Sequence, residues 1–231
     1  MQLAEIWRYP VKSMGGEPLQ RALVTRLGIE GDRVVHAEDS RGHVVTSRTH
    51  PRLLSLHAKL GPAGEPVVDD LAWKDPAVRR RVVEIVGAGA RLVRDESENR
   101  FDVLPLLVAT DGAIAALGHD GRRLRPNLVI SGVEGLGERS WPGRCLRIGK
   151  VLIGLEDLRG RCIMTTFDPD TLEQNRSVLR EIVQKFGGKL ALNCYVIAGG
   201  EVRVGDGVEL LEQGECETMG ASRSGIRPGR E

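Results

Sequence analysis

The sequence predicts an α+β fold dominated by strands, and three observations carry that prediction. Short runs rich in Val, Leu and Ile recur along the chain, each bounded by Gly, Pro, Asp or His. Two segments of the second half combine a helix-capping residue with helical apolar spacing. The 231 residues are enough to bury a core without disulfide staples.

Taken in order, strands are expected at Gln2 to Arg8, Arg21 to Thr25, Arg33 to Ala37, Val44 to Ser47, Leu53 to Leu60 and Arg81 to Val86. Gly61-Pro62-Ala63-Gly64-Glu65-Pro66 is a turn between two of them, and the charged stretch Asp95 to Asn99 is a surface loop leading into the second half. There, Thr110 or Asp111 caps a helix through Leu117 that Gly118 stops, because a short side-chain oxygen satisfies free amides and glycine accepts the left-handed turn. Ser177 caps a second helix, Val178 to Phe186, with Val178, Leu179, Ile182, Val183 and Phe186 on one face before Gly187-Gly188. Leu128 to Ser131, Val151 to Leu155, Ile163 to Phe167, Ala191 to Ala198 and Val208 to Leu211 read as further strands, together suggesting a closed or nearly closed barrel. From Gly214 to Glu231 the chain is Gly-, Ser- and Arg-rich and is expected to be a flexible tail. No internal repeat is evident.

Composition excludes several function classes. Basic and acidic residues number 33 and 32, so no overall field draws the chain to nucleic acid, and 3% aromatics are too few for a base-stacking platform. No run is long enough to span a bilayer and the first residues lack a signal peptide's pattern, so a cytoplasmic protein without a membrane partner is expected. Cys145, Cys162, Cys194 and Cys216 form no C-x-x-C pair and read as separate, reduced thiols. His36, His43, His50 and His57 recur every seven residues, but Pro51 forbids one helix and an odd spacing along a strand alternates faces, so they do not converge on a metal. Asp168-Pro169-Asp170 opens like a calcium loop and fails at Leu172. Gly87-Ala88-Gly89 and Gly132 to Gly137 do not complete a dinucleotide fingerprint.

What remains is local chemistry. Cys162 lies beside Arg159 and Arg161, and neighbouring positive charge favours thiolate, the form that attacks electrophiles or binds soft metals. A small buried core residue is the plainer account of such a cysteine. Lys12-Ser13, Asp32-Arg33, Arg48 and Arg125-Pro126-Asn127 fall at turns beside strands, where charged tips and free amides can gather around an anion.

Taken together, Tyr9-Pro10-Val11-Lys12-Ser13, Gly31-Asp32-Arg33, Val45-Thr46-Ser47-Arg48 with Pro51-Arg52-Leu53, Arg125-Pro126-Asn127 through Gly132, Arg161-Cys162 through Thr171, and Val204-Gly205-Asp206 resemble a molybdenum cofactor sulfurase C-terminal (MOSC) domain protein with its N-terminal β-barrel partner. The chain is similar in particular to the mitochondrial amidoxime-reducing components and their bacterial relatives. The resemblance implies an N-terminal β-barrel-like domain over 1–105, a mixed β-barrel MOSC domain over 106–213 and the tail over 214–231. It implies molybdenum cofactor (Mo-molybdopterin), not pyridoxal phosphate, with Cys162 as the metal ligand. Lys12, Ser13, Arg33, Arg125 and Asn127 would contact the pterin or its phosphate, with Arg48 and Arg161 beside them, and Asp102 would position water, a proton or substrate. The activity implied is reduction of N-hydroxylated compounds, namely amidoximes, hydroxylamines and N-oxides. Its electrons come from a separate ferredoxin- or cytochrome b5-like system with a reductase, since no cysteine cluster follows residue 211. A carrier that only holds the cofactor, or a sulfur-transfer protein with a Cys162 persulfide, would use the same thiol. Three departures stand out: Val103-Leu104 replace short hydroxylated residues, Gly160 replaces a Ser-like neighbour of Arg161-Cys162, and the turn at Gly28 to Gly31 is shorter than in the mitochondrial proteins.

Overall fold

The computed structural model describes residues 1–221. In chain order its strands are β1 (Gln2–Arg8), β2 (Glu17–Leu19), β3 (Arg21–Thr25), β4 (Gly28–Ile29), β5 (Val35–Glu38), β6 (Val44–Val45), β7 (Ala58–Leu60), β8 (Pro66–Val68), β9 (Leu71–Ala72) and β10 (Arg91–Arg94). There follow β11 (Leu106–Thr110), β12 (Leu128–Ser131), β13 (Cys145–Ile148), β14 (Val151–Gly160), β15 (Lys189–Ala198), β16 (Gly200–Arg203) and β17 (Val208–Leu211). The helices are α1 (Pro76–Val86), α2 (Asp111–Leu117), α3 (Ser177–Phe186) and α4 (Gln213–Ala221).

One eight-stranded sheet, ordered β17-β13-β14-β15-β11-β12-β1-β2, is the main frame. Its β11 and β12 are parallel because α2 carries the chain back between them. Alternation along β11 divides two cores: Leu106 and Val108 join Leu3, Ile6, Leu128, Ile130 and Leu192, while Leu107 and Ala109 meet Ala113 and Leu117 of α2 and Val178, Ile182 and Phe186 of α3. In β1 a register shift between Leu3 and Glu5 resets the alternation, so Leu3 and Ile6, three apart, both face inward. The sheet β16-β3-β4 packs Ala22, Val24, Ile29 and Val202 onto the first core. A further core, with Val11, Met14, Val35, Leu53, Val68, Trp73, Val78 and Val82, lies among the sheets β10-β5-β6 and β7-β8-β9 and helix α1. Each fully buried Leu, Ile or Val in these clusters contributes roughly 1.5–3 kcal/mol.

Of the barrel expected as closed or nearly closed, full closure is absent. β2 pairs only with Ile6, Trp7 and Arg8, while the start of β1 meets the stretch leading into β17 through the bridge Gln2 to Gly207 and through backbone hydrogen bonds from Leu3 N to Asp206 O, Gly205 N to Leu3 O and Val208 N to Met1 O at 2.9, 2.8 and 2.9 Å. That edge of β1 is therefore split between two partners, and no continuous ladder joins β17 to β1.

Other elements also differ from expectation. Arg81 to Val86, expected as strand, is the end of α1, because Asp75 accepts from the amide of Ala77 at 2.7 Å, Pro76 occupies the first turn, and Val78 and Val82 share the buried face. Ile163 to Phe167 is a 3-10 turn over Ile163–Thr166, since the hydroxyls of Thr165 and Thr166 donate to the carbonyls of Cys162 and Ile163 at 2.9 and 2.6 Å. Leu53 to Leu60 divides into a 3-10 turn, Pro51–Ser55, and β7. Ser177 is the first residue of α3 instead of its cap, and both its amide and hydroxyl bind Asn175 Oδ1. Val183 is exposed, leaving Val178, Ile182 and Phe186 as the buried stripe. α2, with its Thr110 cap and left-handed Gly118, is as expected.

The cysteines are not all separate. Cys145 of β13 and Cys216 of α4 form a disulfide with their Cα atoms 6.0 Å apart. The segment expected as a tail thus begins as helix, and its remainder, 222–231, lies outside the described residues.

Candidate functional site

A cleft opens where the turns after β1, β4 and β6, the turn before β12 and the end of β14 come together, and all nine residues singled out from the sequence line it: Lys12, Ser13, Arg33, Arg48, Asp102, Arg125, Asn127, Arg161 and Cys162. The space in and over the cleft, open solvent at its mouth included, is about 860 Å³.

Asn127 knits the floor. Its backbone amide donates to Leu107 O at 2.8 Å and its Oδ1 accepts from the Leu107 amide at 3.1 Å, extending the β11–β12 ladder with a side chain. Its Nδ2 donates to Trp7 O and to Oδ2 of Asp32 at 3.3 and 3.2 Å. Fully buried Asp32 also accepts from the amide of Tyr9 at 2.7 Å and from Arg33. Tyr9 in turn carries two guanidinium groups against its ring, Arg125 at 4.1 Å and Arg33 at 5.3 Å from the centroid. Burial raises the Tyr9 hydroxyl to about 12 despite those two cations, so it remains a neutral donor to Pro126 O.

Three of these residues hold uncommon backbone. Ser13, Arg33 and Arg125 have φ of 70°, 55° and 54° without being glycine. Such a conformation costs roughly 1–2 kcal/mol per residue, and clusters of it mark functional sites. Gly28, at φ 79°, meets the need differently: a Cβ there would stand 2.5 Å from Pro105 O, so glycine lets this turn press against the strand entry beside the cleft.

Asp102 sits among cations. Its Oδ1 lies 2.8 Å from Lys12 Nζ, and its Oδ2 lies 2.6 Å from Arg48 Nη2 and 3.6 Å from Arg159 Nη2. Burial works to raise its pKa, but the Lys12 hydrogen bond and the three positive charges outweigh it and hold the carboxyl below its ordinary range. Arg48 is opposed by burial as well, yet Asp102 and then the neighbouring Cys162 sulfur raise its pKa. Arg125 and Arg161 are pushed down to about 10 by burial and still stay charged at neutral pH. Arg125 donates to Met14 O at 2.7 Å, and Arg161 to Leu124 O at 2.7 Å.

Sequence reasoning missed Arg123, Asn193 and Met164 and treated Arg159 only as a neighbour of the thiol; all four line the cleft. A signal existed in the spacing, since Arg123 with Arg125 and Arg159 with Arg161 are each two positions apart. With them the lining holds Lys12 and six arginines against one carboxylate, Asp102, so the cleft suits an anion. Cys162 is its one cysteine and is half-buried. Among the described residues, two of the three buried side-chain atoms without a partner are Nε of Arg123 and of Arg161. A Cβ on Gly160 would meet no atom within 4 Å. Cations, spare donors, open space and one soft sulfur fit a phosphate-bearing, metal-carrying cofactor.

Residues 1–96 match the MOSC N-terminal beta barrel domain, and residues 111–209 match the MOSC domain. The chain belongs to the MOSC family. This MOSC protein is 28% identical to mitochondrial amidoxime-reducing component 1 of Homo sapiens over 284 aligned positions, which cover 91% of this chain and 83% of the relative. A shorter match, 36% identical over 90 residues, covers 39% of this chain and 11% of the molybdenum cofactor sulfurase of Bombyx mori. Among solved structures, the YuaD protein of Bacillus subtilis shares the fold with a TM-score of 0.52 at 13% identity, covering 91% of this chain and 95% of that one.

Proposed function

We propose that this MOSC protein binds molybdenum cofactor in the cleft and reduces N-hydroxylated compounds such as amidoximes. The observation that carries the reading is the combination in one cleft of Cys162, six arginines and Lys12. In this reading Cys162 ligates the metal, and Ser13, Arg33, Arg125, Asn127 and Arg161 hold the pterin and its phosphate. When bound, the cofactor supplies a two-electron couple able to take oxygen from nitrogen.

The protein's own groups do the rest. Arg33 and Arg125, braced by Tyr9 and Asp32, present charge without rearranging, because their partners already fix them. Asp102, ionised beside Lys12 and Arg48, acts as a hydrogen-bond acceptor that orients the N–OH or amino group of the substrate. Val103, 54% exposed, and Leu104 give the mouth an apolar lip. The overall change consumes two electrons and two protons per amidoxime and releases amidine and water. The electrons come from a separate ferredoxin- or cytochrome b5-like donor.

The test is molybdenum and pterin analysis of protein made in a host that synthesises the cofactor, with benzamidoxime reduction driven by a chemical donor. Stoichiometric metal and turnover in the wild type, both lost in Cys162→Ser, is the expected result. Bound cofactor without turnover would replace the enzyme by a carrier. Labile sulfur on Cys162 without molybdenum would replace it by a sulfur-transfer protein.

A further inference from the structure

Two consecutive arginines meet two aspartates of the loop that follows Cys162. Arg122 sends Nη1 and Nη2 to the two oxygens of Asp170 at 2.8 and 2.6 Å. Arg123 sends Nη2 to Asp168 Oδ2 at 2.8 Å and Nη1 to Thr165 O at 3.5 Å. Both arginines belong to the 3-10 turn Gly121–Leu124, which delivers Arg125 and Asn127 to the cleft. From Thr165 one more step reaches the thiol's own residue: its amide and its hydroxyl both donate to Cys162 O, at 3.1 and 2.9 Å. The Asp168-Pro169-Asp170 motif, which fails as a calcium loop, therefore has a different use.

The two ion pairs are unequal. The side chains of Arg122 and Asp170 are 36% and 66% exposed, and such a pair contributes little. Arg123 is only 8% exposed, and Asp168 is fixed on its other side by the amides of Asp170 and Thr171 at 3.1 and 3.0 Å. A charge this buried holds its geometry because leaving its partner would strand it.

We propose that Arg123 and Asp168 are positioning residues for Cys162, a latch that fixes the thiol-bearing loop against the Arg125–Asn127 turn. The proposal rests on the reading that Cys162 ligates the cofactor's metal: the latch then sets the span between that ligand and the residues at the phosphate end. Without it, the side-chain hydrogen bonds between the two segments among the described residues are those of the exposed Arg122 pair and of Arg161 to Leu124 O.

The test reads the protein without cofactor first. Alkylation of Cys162 by iodoacetamide at one fixed pH is followed by mass spectrometry, with Tm recorded on the same samples and buried Cys194 as internal control. Local opening should make Arg123→Met and Asp168→Asn each react about tenfold faster at Cys162, with Cys194 still protected. The double variant should react no faster than the faster single, since both changes remove one contact. Arg123→Lys should fall between. Protein produced with cofactor should carry several-fold less molybdenum per chain in both single variants. If Arg123→Met exposes Cys194, it is unfolded, and Asp168→Asn, at a half-buried position, decides. A wild-type alkylation rate in folded Asp168→Asn, or additive rates in the double variant, overturns the latch. Wild type without molybdenum would overturn the proposed function instead, while the alkylation rates still decide the latch.

Discussion

Asn127 and Asp32, 95 positions apart in the chain, are joined by a hydrogen bond of 3.2 Å from Asn127 Nδ2 to Asp32 Oδ2, fully inside the protein. Through it the turn before β12 is tied to the turn that follows β4, and both walls of the cleft share one buried carboxylate.

Asp32 is therefore the keystone whose loss should be felt globally. Asp32→Ala leaves Arg33 and the Tyr9 amide without their acceptor, and breaking a buried pair in this way costs about 3–5 kcal/mol. Asp32→Asn, which keeps the shape and one acceptor oxygen, should cost less. Urea unfolding measures both; an Asp32→Ala variant as stable as the wild type would remove Asp32 from this role.

Glu138 gives a pH dependence of opposite sign to that of most carboxylates. It is fully buried, Oε2 accepts from Thr110 Oγ1 at 3.2 Å, and Oε1 has no partner. Burial raises its pKa above the ordinary 4.5, with its own backbone amide, Thr110 and Arg139 only partly opposing. The folded state thus binds a proton that the unfolded chain releases, so Glu138 subtracts stability as pH rises through 4.5 to the raised value and by a constant amount beyond it. Glu138→Gln should match wild type below about pH 4 and be the more stable of the two at pH 7, because the amide carries no charge to desolvate. Denaturant unfolding at several pH values reads the gap; a gap that does not widen with pH argues against it.

The Cys145–Cys216 disulfide closes a separation of 71 residues and pins α4 to β13. Its removal should cost roughly 2–4 kcal/mol. Thiol titration of the denatured, unreduced protein should find two free cysteines, Cys162 and Cys194, and four after reduction. Four thiols before reduction would mean that the bridge does not form.

The sequence was most legible where local chemistry decides the structure. α2 could be read to within one residue because Thr110 and Gly118 fix its ends by hydrogen bonding and by a left-handed turn. β1, β3, β12 and β17 matched their apolar runs. α1 was missed because Arg81 to Val86 is as rich in Val and Ile as a strand, and the deciding signal, Asp75-Pro76, lies upstream. The turn after Cys162 was misread because two threonines that suit a strand use their hydroxyls on the preceding carbonyls. The cleft is different in kind. Its nine expected members span Lys12 to Cys162, and no periodicity links them; turn position marked Lys12, Ser13, Arg33, Arg48, Arg125 and Asn127 as anion contacts, and the resemblance to a family joined them to Cys162, Arg161 and Asp102. Arg123 and Asn193 stayed hidden because a buried arginine or asparagine looks like a surface one until its partners are known.

Ser13 tests whether the cleft stores strain for its ligand. Its φ of 70° would suit glycine, and it is 6% exposed. An L-residue there costs roughly 1–2 kcal/mol, whereas glycine's greater freedom in the unfolded chain offsets about 0.5–1 kcal/mol of the relief. Ser13→Gly should therefore raise the stability of the cofactor-free protein by roughly 0.5–1 kcal/mol, or about 1–4 °C in Tm. In the proposed function the hydroxyl is one of the groups holding the pterin or its phosphate, so the same variant should retain less molybdenum and pterin when made with cofactor. Opposite changes in the two measurements would mean that the residue is kept for binding at the expense of stability. A loss of stability together with undiminished cofactor would show that Ser13 serves only to pack the turn.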